Sequence, residues 1–559
     1  MDSHSHPSSD FNLPIIDLVA QRRLRQRLQR AQTADHYYFV DIVGTCNLRC
    51  PSCPVGNVVS ETPKGFMPLD QFRRVLAKIA DDQGPGKRIF VDLYNWGEPT
   101  LHPELAACIR LLREFGFGCG ISSNMNVFPN MRDVVKARPD YIRVSLSGFH
   151  NATYKTTHRG GDINAVKGNM HLLRHCLDQY RSDTVVQVGF HIYRSNFPRD
   201  FLKMRELCDD LGFIFAPVIA TMMPAEKAVA AIDGQIEPGD DAIHQKFVIP
   251  LTHWPEHYRQ DGIFLSDCQF RQARTTINYD GTVSLCCAVY GADKTIAPDF
   301  LDIGNDALTH KKYGHDFCNT CMSRSMHQMY TGVASPSLTA EAVNVLGPLY
   351  QEFLTEEQCL NDPESIVWDG RFVRVGEIYD SAMHELNENG DIAKAQGYFD
   401  ALTEQMPNFG EGFFHAARIA EHFENKDKAL TLMAEAVRLS PGHQPYSDDL
   451  QRLQDSAYQN PRFYQHADKT PIQETYDRGL AALQGGDDSL SEAEKCFESL
   501  IRSAPDFAEG FFQAARIAER RGDSERAVSL MAEAVRLLPS HELYNQELGR
   551  LRSRQRTVA

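Results

Sequence analysis

Apolar and polar positions follow two rhythms along this chain, and the change comes near residue 370. Before it, short apolar runs rich in β-branched and aromatic residues occupy 37–43, 88–94, 119–124, 141–148, 185–193 and 213–220. Each run is bounded by turn-forming residues and reads as a buried strand. Between the runs the apolar positions recur at three- and four-residue intervals, as in 68–80, and predict helices. Strands alternating with helices imply a parallel sheet, here about six βα units, and hence a partial (β/α)6 barrel. Polar residues at the C-terminal strand ends are then the place to look for chemistry.

After the change the pattern is helical throughout and contains a duplication. Residues 411–421 recur as 509–519 and residues 433–439 as 531–537, both at an offset of 98. Within each copy, prolines stand 34 residues apart, at Pro407 and Pro441 and at Pro505 and Pro539. That period resembles tetratricopeptide helix pairs, which bury their apolar faces by stacking on one another and usually bind another polypeptide or mediate self-association. A structural dimerisation appendage fits the same pattern. The expected organisation is an N-terminal helical extension (1–36), the barrel (37–225), a small α+β domain (226–335), a linker (336–370) and two repeat units (371–460 and 461–559). The basic tract 22–30 reads as a solvated lead-in helix.

Chemistry enters directly after the first strand. Cys46, Cys50 and Cys53 form a CxxxCxxC array on a loop. Three such thiolates can hold three irons of a [4Fe–4S] cluster and leave the fourth iron open to a small molecule. A structural zinc site prefers two well-separated CxxC pairs. Strand, CNLRCPSC loop and the following units together resemble the radical S-adenosylmethionine (SAM) superfamily. The resemblance implies that SAM chelates the open iron and is cleaved by one electron to methionine and a 5′-deoxyadenosyl radical, which abstracts a substrate hydrogen atom. An external electron donor such as flavodoxin or ferredoxin is implied with it. One departure stands out: Ser52 occupies a position where many members carry an aromatic residue.

Gly97, Glu98 and Pro99 end the second strand unit and match the family's GEP element, implied to meet the SAM amino group. As a lone tripeptide it would read as a turn. Ser122, Ser123 and Asn124 end the third strand and are candidates for the ribose or methionine part of SAM. Ser145 and Ser147 lie at the end of the fourth. Arg159 resembles the arginine that meets the SAM carboxylate, a role that suits a guanidinium fork; a surface ion pair explains it almost as well.

A second cysteine group follows. Asp280-Gly281 is a hairpin signature that would bring Cys268 and Cys286 together, with Cys318 and Cys321 closing the set. Four thiolates can hold a fully ligated auxiliary [4Fe–4S] cluster, and the arrangement resembles the shorter, twitch form of the SPASM/twitch extensions. A four-cysteine zinc ribbon is the competing account. Cys287 is left over, either a packing residue or a hydrogen-atom donor.

Composition narrows the field. A net charge of −16 argues against a nucleic-acid partner, which calls for a basic face. No eighteen-residue apolar run exists to span a membrane. The first ten residues lack the basic-then-apolar order of an export signal, and the clustered cysteines suit the reducing cytoplasm. The expected activity is therefore a radical SAM oxidation of a polar small molecule such as an amino sugar or cyclitol. Epimerisation with Cys287 as donor, peptide maturation with the repeats recruiting the peptide, and a non-enzymatic scaffold are the alternatives.

Overall fold

The computed structural model describes residues 12–58, 64–454, 471–484, 489–504, 507–538 and 541–558. The chain folds as two compact units, Met1–Asn361 and Asp362–Ala559.

The first unit is built on the strands β1 (His36–Val40), β2 (Ile89–Asp92), β3 (Gly118–Ser123), β4 (Tyr141–Leu146), β5 (Val185–Ile192) and β6 (Ile214–Ile219). They pair in parallel and in chain order, which is the partial barrel expected from the pattern. Their outer faces are apolar because helices cover them. Val91, Ile121, Val144 and Val188 are fully buried with Leu76, Ile79, Ile109 and Leu173 of the surrounding helices, each such side chain contributing ~1.5–3 kcal/mol of burial. The inner face is polar, and glycines make the room for it. A Cβ at Gly120 would stand 2.3 Å from the Tyr141 ring and 2.4 Å from the Asp92 carboxylate.

Beyond β1 the sheet continues with β7 (Arg274–Ile277), β8 (Val283–Ser284) and β9 (Thr295–Ala297). The strand β7 lies parallel to β1, and β8 returns antiparallel through the Asp280-Gly281 turn. The hairpin is where the turn signature put it, but its strands extend the barrel's own sheet.

Two expectations need correction. Residues 336–361, expected as linker, form the helices Pro336–Leu346 and Pro348–Asn361, and Leu338, Ala342, Tyr350 and Phe353 join the barrel core. Their i, i+3 and i, i+4 spacing is the reason. The basic helix Leu18–Ala31 is not a solvated one either. Arg22 is buried and donates to the Cys359 carbonyl at 3.2 Å, while Arg25 pairs with Glu357 at 2.5 Å.

The second unit opens with the hairpin β10 (Ser365–Trp368) and β11 (Arg371–Arg374), so a boundary at 370/371 would cut between its strands. Helices follow to the end of the described chain. The duplication in sequence is a duplication in contacts. Tyr446 stacks on Phe414 at 4.7 Å, and 98 residues later Tyr544 stacks on Phe512 at 4.8 Å. Arg452 forks onto Glu421 as Arg550 does onto Glu519. Pro407 and Pro441 each follow a helix end; Pro505 and Pro539 lie outside the described residues. Among the described residues no helix is long and apolar enough to cross a membrane.

Candidate active site

Directly beyond β1 the chain turns through a loop whose backbone has no room for larger residues. A Cβ at Gly56 would strike the Cys50 carbonyl oxygen at 2.2 Å, and one at Gly97 the Val43 carbonyl oxygen at 1.7 Å. The loop after β2 therefore docks backbone to backbone on the loop that carries the cysteines. Asp41, buried at the end of β1, fastens the contact by accepting from the Trp96 amide at 2.9 Å and the Gly97 amide at 3.2 Å. Burial raises its carboxyl to about 6 despite those bonds. The Glu98 amide donates to the Thr45 carbonyl at 2.8 Å and completes the clamp.

Glu98 is itself buried. Its carboxylate accepts from the Asn124 amide at 2.8 Å and the Thr100 hydroxyl at 2.7 Å, and burial raises it above the usual carboxylate range. Asn124 reaches back with its side chain to Asn47 at 2.8 Å and to the Cys46 sulfur at 3.6 Å. The ends of β1, β2 and β3 thus form one hydrogen-bonded frame around the cysteine loop.

This frame surrounds a cavity of about 640 Å³ at the C-terminal ends of the strands. Cys46, Cys50 and Cys53 line it, together with Gly97, Glu98, Ser122, Ser123, Asn124 and Ser145. Nine of the sequence-derived candidates, from four separate strand ends, converge there. The thiols are half-buried, yet the protein packed around them raises Cys46 to about 11 and Cys53 to about 12. Any cluster bound by them must displace their protons.

Three candidates sit elsewhere. Pro99 is buried at the start of the turn Pro99–Leu101, where its ring fixes the backbone after Glu98. Ser147 is fully buried and bonded to His158 at 2.9 Å. Arg159 does not line the cavity. Its guanidinium donates to the Arg49 carbonyl at 2.9 Å and the Gly56 carbonyl at 3.1 Å, and so staples the cysteine loop from outside.

The cavity also holds residues the sequence reading passed over: Tyr94, Arg143, His191, Tyr193 and Trp254. Ser52 bonds the Tyr193 hydroxyl at 3.1 Å, so an aromatic ring from the end of β5 stands beside the position where one was missing. His191 places Nδ1 on the Leu146 carbonyl at 3.1 Å, and burial with nearby Arg143 lowers it to about 4, which leaves a neutral ring. Arg143 and Ser145 alternate on β4, so period-two reading of that strand would have found the arginine.

The other four cysteines come together as well. Cys268 caps the short helix before β7, Cys286 follows β8, and Cys318 and Cys321 share a face of the helix Asp316–Ser323. All four line a small cavity of about 30 Å³ walled by Phe270, Leu285 and Phe317. Buried Lys312 lies close enough to feel Cys286 and Cys318, and desolvation lowers its amine to about 8. A buried ammonium near Cys286 and Cys318 suits a group that is net negative, as a cluster on four thiolates would be. Tyr330 lines this cavity and the large one, and so stands between them. Cys287 lines neither; its thiol is held protonated, at about 12, by burial. Among the described residues no three His, Cys, Asp or Glu side chains are close enough to hold a single metal ion.

Comparison with known proteins agrees with this layout. Residues 40–188 match the radical SAM superfamily, and residues 384–443 and 476–542 match the tetratricopeptide repeat. The tungsten-containing aldehyde ferredoxin oxidoreductase cofactor-modifying protein of Pyrococcus furiosus is 33% identical over 113 residues, 20% of this chain and 30% of that protein. The chain therefore matches less than a third of that relative's length. Native anSMEcpe with bound AdoMet is 12% identical, over 51% of this chain and 83% of that one, with a TM-score of 0.34. SuiB of Streptococcus suis bound to S-adenosylmethionine is also 12% identical, over 52% and 71%, with a TM-score of 0.34. Residues 40–188 of this chain are a radical SAM domain, and its helical C-terminal region carries tetratricopeptide repeats.

Proposed function

We propose that this chain is a radical SAM enzyme that oxidises a polar small molecule such as an amino sugar or cyclitol, with a second iron–sulfur cluster as the electron acceptor. The convergence of Cys46, Cys50 and Cys53 with the strand-end polar residues on one cavity carries the reading. The three thiolates would hold a [4Fe–4S] cluster, and Cys268, Cys286, Cys318 and Cys321 a second one with every iron ligated. A cluster held by Cys46, Cys50 and Cys53 would supply the electron for reductive cleavage of SAM.

This chain's residues do the rest by position. Glu98 is the acceptor for the SAM amino group, and Ser122, Asn124 and Ser145 offer hydrogen bonds at the strand ends. Trp96 and Tyr193 help close the cavity against water. Loss of one hydrogen atom from a carbinol carbon to the 5′-carbon leaves one electron and one proton to remove. Cys268, Cys286, Cys318 and Cys321 would hold a group able to accept that electron, with Tyr330 between the two cavities. The proton has His191, neutral and on the cavity wall, as its acceptor. Products are 5′-deoxyadenosine and a carbonyl.

Epimerisation is the second reading, because Cys287 keeps its S–H hydrogen. Its absence from the residues lining either cavity favours oxidation. The repeats would bind a protein partner or a second copy of the chain. Anaerobically reconstituted protein, given SAM, a reductant and substrate in deuterated water, tests the reaction. Oxidation gives a product lacking two hydrogens, without deuterium at the reacting carbon, and Cys287→Ala retains activity. A deuterium-labelled stereoisomer that requires Cys287 would make the protein an epimerase.

A further inference from the structure

One formal charge in the large cavity has no partner. Arg143, half-buried on β4, lines the cavity, and among the described residues it makes no hydrogen bond and no ion pair. The other charged side chain there, Glu98, already accepts from Asn124 and Thr100. Asp92 lies within electrostatic reach of Arg143, but its carboxylate is bonded by the Tyr141 hydroxyl and faces Arg274 more strongly. Two guanidiniums thus share one carboxylate inside the barrel. The five N–H donors of Arg143 face the cavity with no protein acceptor among the described residues.

The fold is shaped to keep it there. Gly189 on β5 leaves the space the guanidinium fills, since a Cβ at that position would lie 2.5 Å from Arg143 Nε and 2.7 Å from Nη2. Buried Trp254, whose ring lines the same cavity, also has an indole N–H without an acceptor. Both groups ask for hydrogen-bond acceptors, and Arg143 asks for negative charge.

We infer that the substrate is an acid, carrying a carboxylate or phosphoryl group that Arg143 receives. The inference rests on the reading of this cavity as a radical SAM active site, and it narrows the substrate from polar to anionic. The planar fork of arginine matches either anion with two parallel N–H bonds, where a lysine would offer a point charge.

Calorimetric titration of the reconstituted holoenzyme, saturated with SAM, tests it with glucuronate and glucose 6-phosphate as probes and glucosamine as the cationic control. At least one acid is expected to bind saturably and glucosamine not. Arg143→Gln should weaken that binding about 10- to 100-fold, the worth of a charge-assisted pair, with Arg143→Lys between the two. Gly189→Ala should act in the same direction without removing the charge, because it evicts the guanidinium. SAM affinity should change by less than about threefold in each variant. If SAM affinity falls with acid affinity, Arg143 serves the SAM carboxylate and the inference fails. Failure of both acids to bind wild type, or equal binding by wild type and Arg143→Gln, overturns it as well. Formation of 5′-deoxyadenosine is scored separately. Acid binding through Arg143 without any 5′-deoxyadenosine would keep the anion site and sink the radical SAM reading.

Discussion

The two cysteine groups of the first unit differ in almost every respect except their chemistry. Cys46, Cys50 and Cys53 fall within eight residues and open onto a cavity of about 640 Å³ that Glu98, Arg143 and strand-end serines also line. Cys268, Cys286, Cys318 and Cys321 are gathered from 54 residues and enclose about 30 Å³ with apolar walls. An open three-thiolate site leaves room for a cosubstrate and substrate. A closed four-thiolate site with a buried lysine beside it has room only for what the sulfurs bind. On the proposed function, the first would carry the chemistry and the second would store an electron.

The largest effect should come from the open site. Replacing Cys46, Cys50 and Cys53 together by alanine is expected to lower 5′-deoxyadenosine formation at least ~1,000-fold, since the cofactor carries the chemistry. About four irons per chain should remain, held by the closed site. An iron-free variant that retains stoichiometric zinc would restore the zinc-ribbon account of the second group.

The converse substitution, Cys268→Ala with Cys286→Ala, should remove about four irons and abolish the oxidised product. SAM cleavage should stay within about tenfold of wild type, because the open site does not depend on those thiols. Loss of SAM cleavage to the same extent as in the first variant would erase the distinction between the sites.

The frames of the two sites can be compared by stability. Gly97→Ala forces a Cβ to within 1.7 Å of the Val43 oxygen and should cost about 3 kcal/mol or more in denaturant unfolding. Gly304→Ala, at the N-cap of the helix Asn305–Tyr313 with nothing within 4 Å of its Cβ, should cost less than about 1 kcal/mol. Equal costs would mean the docking of the GEP loop on the cysteine loop is not tight.

A smaller effect concerns pH. Asp41 titrates at about 6 in the fold against an ordinary 3.8. The folded chain therefore binds the proton more tightly than the unfolded one. Asp41's contribution is most favourable below about pH 4 and is lost as pH rises through 6, by roughly 3 kcal/mol at most. Asp41→Asn should flatten the fall in stability between pH 4 and 7 relative to wild type. An unchanged slope would show that Asp41 is ionised throughout and carries the clamp as a carboxylate.

How much of this was legible in the sequence follows from locality. The six strands, the cysteine loop and the GEP element are each written in consecutive residues, so periodicity and spacing reach them. The duplicated contacts of the repeats, Tyr446 and Tyr544 or Arg452 and Arg550, follow from the 98-residue offset for the same reason. Helices 336–361 were misread as linker although their apolar spacing is regular, because the segment lies between stronger signals. What joins distant residues stayed hidden. Asp41 is one acid in an apolar run until Trp96 and Gly97 are seen on it. Arg143 reads as an ordinary strand residue until Gly189 is seen making space for it. Arg159 carries a motif's signature, yet its partners are the carbonyls of Arg49 and Gly56.

The contrast between an open and a closed site is tested most directly by electron paramagnetic resonance of the two cysteine variants, reduced, with and without SAM. The variant that keeps only Cys46, Cys50 and Cys53 should show a reduced-cluster signal that shifts when SAM is added, because SAM reaches an iron without a protein ligand. The variant that keeps only Cys268, Cys286, Cys318 and Cys321 should show a signal that SAM leaves unchanged. A SAM-dependent shift in the second variant, or none in the first, would contradict the account.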